Sequence, residues 1–312
     1  MWMRKKILLF CDPGIDDSLA IMYAMLDPAL DLVGIVTGYG NITREQATAN
    51  AAYLVQLAGR GDIPIIPGAS SPVQQEDVIF YPEIHGKEGI GPIRPPADME
   101  YHIYPFDTIR TIIERYKNEL IIVSTGRSTT LANVFILFPD QMEFVQSFYV
   151  MGGAFFVPGN VTALAEANFF GDPTSSNYVL TFAQNLTITP LNVTRHAVIT
   201  PGLVDEIAQS KKNVYSFMIA PIFKYYYRFY KEKTPGIKGA PIHDLLTVML
   251  VKNPDLVDYI NYDANVAEGI ETKGLSYIDV RPSRPKGQTR IAIDLHYEKF
   301  IMRFKEVMVP EY

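Results

Sequence analysis

The stretch KILLFCDPGIDDSLAIMYAML, residues 6–26, decides the fold. Ile7 to Cys11 are apolar without alternation, which fits a strand covered on both faces rather than one with a wet side. Pro13 and Gly14 then break the chain, and SLAIMYAML (18–26) carries the spacing of an amphipathic helix. The same unit recurs. LVGIVTG (32–38) precedes REQATANAAYLVQLAG (44–59), IPIIPG (63–68) follows, and ELIIVSTG (119–126) leads into TTLANVFILF (129–138). FVQSFYVMGG (144–153) and NLTITPLNVT (185–194) read as further strands. Continuous apolar strands alternating with helices predict an α/β fold, a mostly parallel open sheet flanked by helices. No linker, repeat or low-complexity tract divides the chain, so residues 1–312 are expected to form one domain. Two long segments, 69–105 and 154–171, lack the rhythm, and loops of that length tend to be functional.

The bulk composition narrows the partners. With 312 residues and 48% hydrophobic content, the chain can bury a large core. Its 28 basic against 34 acidic residues leave a net charge of −6, which argues against nucleic acid as the main partner. The single cysteine, Cys11, forbids an intrachain disulfide and reads as a small buried hydrophobe, so a reducing compartment is the simplest expectation. The start, MWMRKKILLFC, has the look of a leader, but Ile7–Cys11 is too short for a signal core and Asp12 ends it. No other stretch approaches the ~20 apolar residues of a membrane span. A cytoplasmic protein with no membrane partner is expected.

Asp12, Asp16 and Asp17 crowd a Pro-Gly turn, and like charges so placed need a cation or a hydrogen-bonding task. Open α/β sheets bind ligands beyond the carboxyl ends of their strands. Asp12, Asn41, Thr125 and Gly152–Gly153 all fall at such ends. Asp16 and Asp17 also suit a helix N-terminus, a bland role that leaves Asp12 unexplained. Neighbours on a helix point about 100° apart, so the expected division has Asp12 and Asp17 sharing a hard cation while Asp16 faces a ligand. All-oxygen coordination suits Ca²⁺ or Mg²⁺, and no Cys/His cluster has zinc spacing.

Further constellations join this one. In PIHDLLTVML (241–250), Asp244 is either a helix cap or a third carboxylate ligand, and His243 is a candidate proton donor because imidazole titrates near neutral pH. In GNVTALAEANFFGDP (159–173), Glu166 and Asn168 would face the same way if extended, and Asn160 could join them to hold sugar hydroxyls. Asp172-Pro173 matches an N-cap followed by proline and is left out of the site. His85, in IHGKEGIGP (84–92), is either surface decoration or ligand-facing. KYYYRFYKEK (224–233) reads as core packing or an interface, with base stacking as the alternative. His102, His196 and His296 receive no role.

Together these residues resemble the inosine–uridine-preferring nucleoside hydrolases. DPGIDD, GN at 40–41, HGKEGIG, STG at 124–126, MGGAF at 151–155, GNVTALAEAN and HD at 243–244 follow that family's order over nearly the whole chain. The resemblance implies a Rossmann-like nucleoside hydrolase fold and a Ca²⁺ held by Asp12, Asp17, Asp244 and the carbonyl of Thr125. It implies Asp12 as the base acting on metal-bound water. Asn41, Asp16, Asn160, Glu166 and Asn168 would hold ribose, with Met151 packing nearby, and His243, helped by His85, would serve the departing base. It also implies a homodimer or homotetramer. Independently, glycoside cleavage through an oxocarbenium-like state wants negative charge near the sugar and an acid near the leaving group.

The chain departs from the family pattern at several positions. Phe10 stands where an acid is usual, Ala167 replaces an aromatic, Asn192 replaces a common Asp, and Arg127 and Ser128 replace an apolar pair. Phe10 and Asn192 leave open a second hypothesis, a nucleoside-binding or sensing protein without turnover. A third, an aspartate-nucleophile phosphatase, needs an acid at residue 10 and finds Phe10.

Overall fold

A computed structural model describes residues 4–283 and 286–309, so the first three residues of the leader-like start lie outside the described residues. An eight-stranded sheet organises them. Its strands β1 (Lys5–Cys11), β2 (Leu30–Thr37), β3 (Ile65–Pro67), β4 (Leu120–Ser124), β5 (Ser147–Met151) and β6 (Leu186–Thr189) are parallel. They are ordered β3-β2-β1-β4-β5-β6, and the strand Arg290–Leu295 joins β6 in parallel. Val257–Asn261 closes that edge antiparallel.

The unbroken apolar run of β1 has the meaning read from it. Ile7, Leu9 and Cys11 enter one core, with the helices α1 (Ile15–Leu26), α2 (Arg44–Leu57), Ser216–Lys233 and His243–Leu250. Leu8 and Phe10 enter a second core on the opposite face, with helices Thr108–Arg115, Thr129–Leu137 and Pro173–Phe182. Each fully buried Leu or Ile contributes about 1.5–3 kcal/mol relative to exposure, so both faces hold the sheet in place.

Strand order reverses between β1 and β4, whose pairing brings Phe10 opposite Ser124. Such a switch point leaves a crevice beyond the strand ends, and Asp12 and Thr125 are the residues that emerge there. Three local expectations change. The 185–194 run is strand only to Thr189; Pro190 has no N–H to extend the ladder, and Leu191–Thr194 turn helical. Strand β5 occupies only Ser147–Met151 of the 144–153 run. The two long loops carry short helices, Pro82–His85 and Ala167–Gly171.

Candidate active site

Beyond the β1–β4 switch point lies a cavity of about 520 Å³. Asp16, Asn41, His85, Thr125, Met151, Asn160, Glu166, Asn168, His243 and Asp244 all line it, although they come from seven separate parts of the chain. Asp12 and Asp17 are not among its lining residues; Asp17 joins a carboxylate group with Asp16 and Asp244, and Asp12 lies outside that group. Asp16, Asp17 and Asp244 are buried with carboxylate oxygens within 4.8 Å of one another. Helix capping accounts for little of this. The Gly14 N–H reaches Asp17 only at 3.4 Å, and the helix opened by His243 has no side-chain cap.

Asp12 is sandwiched between two glycines. A Cβ at Gly40 or Gly126 would collide with its carboxylate, at 2.0 and 2.5 Å respectively. One of its oxygens accepts the Asn41 N–H at 2.5 Å, and among the described residues its Oδ1 is buried without a hydrogen-bond partner, as is Oδ1 of Asp16. Asp17 accepts from Thr125 Oγ1 at 2.7 Å and from Asn41 Nδ2 at 3.1 Å. Burial first, then neighbouring carboxylates, pushes Asp12, Asp17 and Asp244 up, Asp17 to about 7. The groups donating to them are neutral amides and hydroxyls. Partner-free oxygens, mutual repulsion and an all-oxygen donor set fit a hard divalent cation.

The sugar-facing candidates are held by backbone. Glu166 and Asn168 do not share an extended segment. Glu166 is the extended N-cap of helix Ala167–Gly171, and its carboxylate accepts N–H bonds from Asn168 (2.8 Å), Gly153 (2.9 Å) and Phe169 (3.1 Å). Burial still outweighs those bonds and pushes Glu166 up to about 6. Asn160 Oδ1 accepts the Ala167 N–H at 3.0 Å. Asn168 Nδ2 donates to the Thr125 carbonyl at 2.7 Å, with Met151 O and Sδ at 3.2 and 3.3 Å. A carbonyl has two lone pairs, so the Thr125 oxygen keeps one for another partner. Asp172, left out of the site, caps helix Pro173–Phe182 through the Ser175 N–H.

His85 is not surface decoration. It ends the helix Pro82–His85, is 4% exposed, and accepts the Ile15 N–H through Nδ1 at 3.0 Å. Asp16 lies 3.8 Å from the same nitrogen and favours a charged ring, but burial pushes the pKa down. An Nδ1 that accepts a hydrogen bond carries no proton, so the ring is neutral with hydrogen on Nε2.

One wall came from residues whose role the sequence left open. Tyr226, Phe229 and Tyr230, on helix Ser216–Lys233, line the cavity. Tyr226 OH donates to Asp16 Oδ2 at 3.3 Å, the two tyrosine hydroxyls are 3.3 Å apart, and Tyr230 OH meets His243 Nε2 at 3.1 Å. His243 Nδ1 lies 2.8 Å from Thr194 Oγ1. A carboxylate oxygen only accepts, so the chain has one consistent direction: Thr194 donates to Nδ1, Nε2–H to Tyr230, Tyr230 to Tyr226, and Tyr226 to Asp16. That places a neutral His243 with hydrogen on Nε2, in keeping with the downward push of burial on its pKa. The available signal for these residues was the four-residue spacing of Tyr226 and Tyr230, which puts both on one helix face. Thr194 and Tyr81 gave none.

Residues 7–302 match the family model described as inosine-uridine preferring nucleoside hydrolase. The chain is 32% identical to uridine nucleosidase 1 of Arabidopsis thaliana over 82% of this chain and 76% of that protein. It is 30% identical to the inosine-uridine preferring nucleoside hydrolase of Crithidia fasciculata over 96% and 95%. A purine-preferring ribonucleoside hydrolase from Gardnerella vaginalis superposes with a TM-score of 0.91 at 27% identity, covering 98% of each chain. The chain belongs to the inosine-uridine preferring nucleoside hydrolase family and is a nucleoside hydrolase enzyme. Among the described residues no helix is long and apolar enough to cross a membrane.

Proposed function

We propose that this enzyme hydrolyses the N-glycosidic bond of ribonucleosides to ribose and free base, with Ca²⁺ as its cofactor. The observation that carries the reading is the group of buried carboxylates facing an aromatic wall that ends in a hydroxyl–imidazole chain. Asp12, Asp17, Asp244 and the Thr125 carbonyl would hold the ion. When bound, a divalent cation offsets the carboxylate repulsion and makes water more acidic. Asp12 takes the proton of the attacking water. Asp16, Asn41, Asn160, Glu166 and Asn168 orient the ribose, with Met151 beneath it, and the carboxylates favour the positive charge that develops on the sugar. His243, neutral at rest, must first take up a proton from water. Its imidazolium then gives the Nε2 proton toward the departing base through the Tyr230 and Tyr226 hydroxyls and returns to the neutral ring, while His85 helps hold that base. The reading extends to a cytoplasmic homodimer or homotetramer, which fractionation and sedimentation test.

Relatives carry names that span uridine nucleosidases and purine-preferring hydrolases, so a panel of inosine, adenosine, guanosine, uridine and cytidine is the test of substrate. Ribose release from at least one is expected. Asp12→Asn keeps an oxygen for the Asn41 N–H, so in chelator it should match the melting temperature of wild type, and with Ca²⁺ it should lose turnover. Full activity in that variant overturns the role of Asp12. Calorimetry that shows nucleoside binding without ribose release makes the protein a sensor instead.

A further inference from the structure

Arg127 departs from the family pattern, and the chemistry above does not use it. Its Nη2 donates to the Ile79 carbonyl at 2.7 Å. Its guanidinium carbon lies 4.9 Å from the centre of the Tyr39 ring. Its Nε rests against Gly171, where a Cβ would come within 2.4 Å. Each contact belongs to a segment that delivers a cavity residue. Ile79 leads into Tyr81 and His85, Tyr39 leads into Asn41, and Gly171 ends the helix that bears Asn168. The backbone of Arg127 itself follows Thr125.

We infer that Arg127 is a positioning residue: one guanidinium fastens three cavity-forming segments to the end of β4, and the wall around Tyr81 depends on it most. Residues 73–80 bury almost nothing, Ile79 and Phe80 being 53% and 36% exposed. A segment with so few apolar contacts opens easily and relies on polar ties. The Tyr81 N–H bonds the Asn41 carbonyl at 3.0 Å, and the Val73 N–H bonds Asp172 at 3.1 Å. Between those anchors the stretch is also tied by the Gln74–Thr174 hydrogen bond and the Lys273–Glu76 ion pair, and the Arg127–Ile79 bond is the tie just ahead of the wall. A hydrogen bond from a charged donor is stronger than a neutral one. Lysine can take over only part of the job, because its point charge lacks the planar fork that donates to a carbonyl while stacking on a ring. The same cation lies close enough to Asp12 and Glu166 to favour their charged forms.

The inference rests on the hydrolase reading only for its kinetic half. Amide hydrogen exchange over residues 76–84 and steady-state kinetics on a hydrolysed nucleoside are measured for wild type, Arg127→Met, Arg127→Lys and Gly171→Ala. In Arg127→Met, loss of a charged hydrogen bond should speed exchange and raise KM by about tenfold, with kcat falling less than KM rises. Gly171→Ala keeps the charge but displaces the guanidinium, and should shift both in the same direction. Arg127→Lys should recover part of each. Wild-type exchange and KM in Arg127→Met, even with a lowered melting temperature, overturn the inference, since Arg127 would then support only the fold. If the wild type releases no ribose, the hydrolase reading fails separately. Exchange then still decides: faster in Arg127→Met supports the positioning role, and unchanged exchange refutes it.

Discussion

Asn192 grips both sides of the Phe155 peptide, accepting its N–H at 3.0 Å and donating to its carbonyl at 2.7 Å. A carboxylate has no hydrogen to donate, so Asn192→Asp sets an anion against a carbonyl. The variant should lose about 1–3 kcal/mol in urea unfolding. The side chain is not among those lining the cavity, and its two bonds to Phe155 anchor the 154–171 loop. Glu166 makes a second prediction at this scale. Its carboxyl sits at about 6 against an ordinary 4.5 because it is buried, so the folded state holds its proton more tightly than the unfolded chain. Stability from this group is present below about pH 4.5 and is lost as pH rises through about 6, a change of roughly 2 kcal/mol. Urea titrations in chelator across that window should show a shallower fall for Glu166→Gln than for wild type. The variant should also be weaker throughout, since one of its amide hydrogens would face backbone N–H donors. Glu166 as a candidate was legible in its motif; its capping duty was not, because the helix that follows is only five residues long.

One face of helix Ser216–Lys233 serves both the core and the site. Phe223 and Tyr226 are buried, with Phe223 packed in the core, while Tyr226 and Tyr230 turn their hydroxyls toward Asp16 and His243. Tyr226→Phe and Tyr230→Phe each break the same hydrogen-bonded chain, so each should lower kcat by about tenfold, within what general acid catalysis supplies. The double variant should fall well short of the hundredfold product, because links in one network are not additive. Independent effects in a double-mutant cycle would sink the chain as a unit. A run of aromatics in sequence has no way to announce which rings meet a distant carboxylate. The helix axis and its docking against α1 decide that.

For the whole molecule, the buried carboxylates at the switch point should tie stability to the proposed cation. An ion that binds only the folded state at a hundred times its Kd contributes about 2.7 kcal/mol. Exhaustive chelation should therefore lower the melting temperature by about 4 °C, and added Ca²⁺ should restore both melting temperature and ribose release. Equal restoration by Mg²⁺ at the same concentration counts against Ca²⁺ as the cofactor.

The alternation of apolar strands with helices and the acids at strand ends were written in the sequence. Both are local: periodicity follows backbone geometry, and a charge that ends a buried run has to sit at the rim. Tertiary structure alone decided that Thr194, His243, Tyr230, Tyr226 and Asp16 form one line, that His85 accepts the N–H of Ile15, and that Arg127 touches three separate segments. Those meetings depend on the order of strands and the docking of helices, which bring together residues up to 210 positions apart.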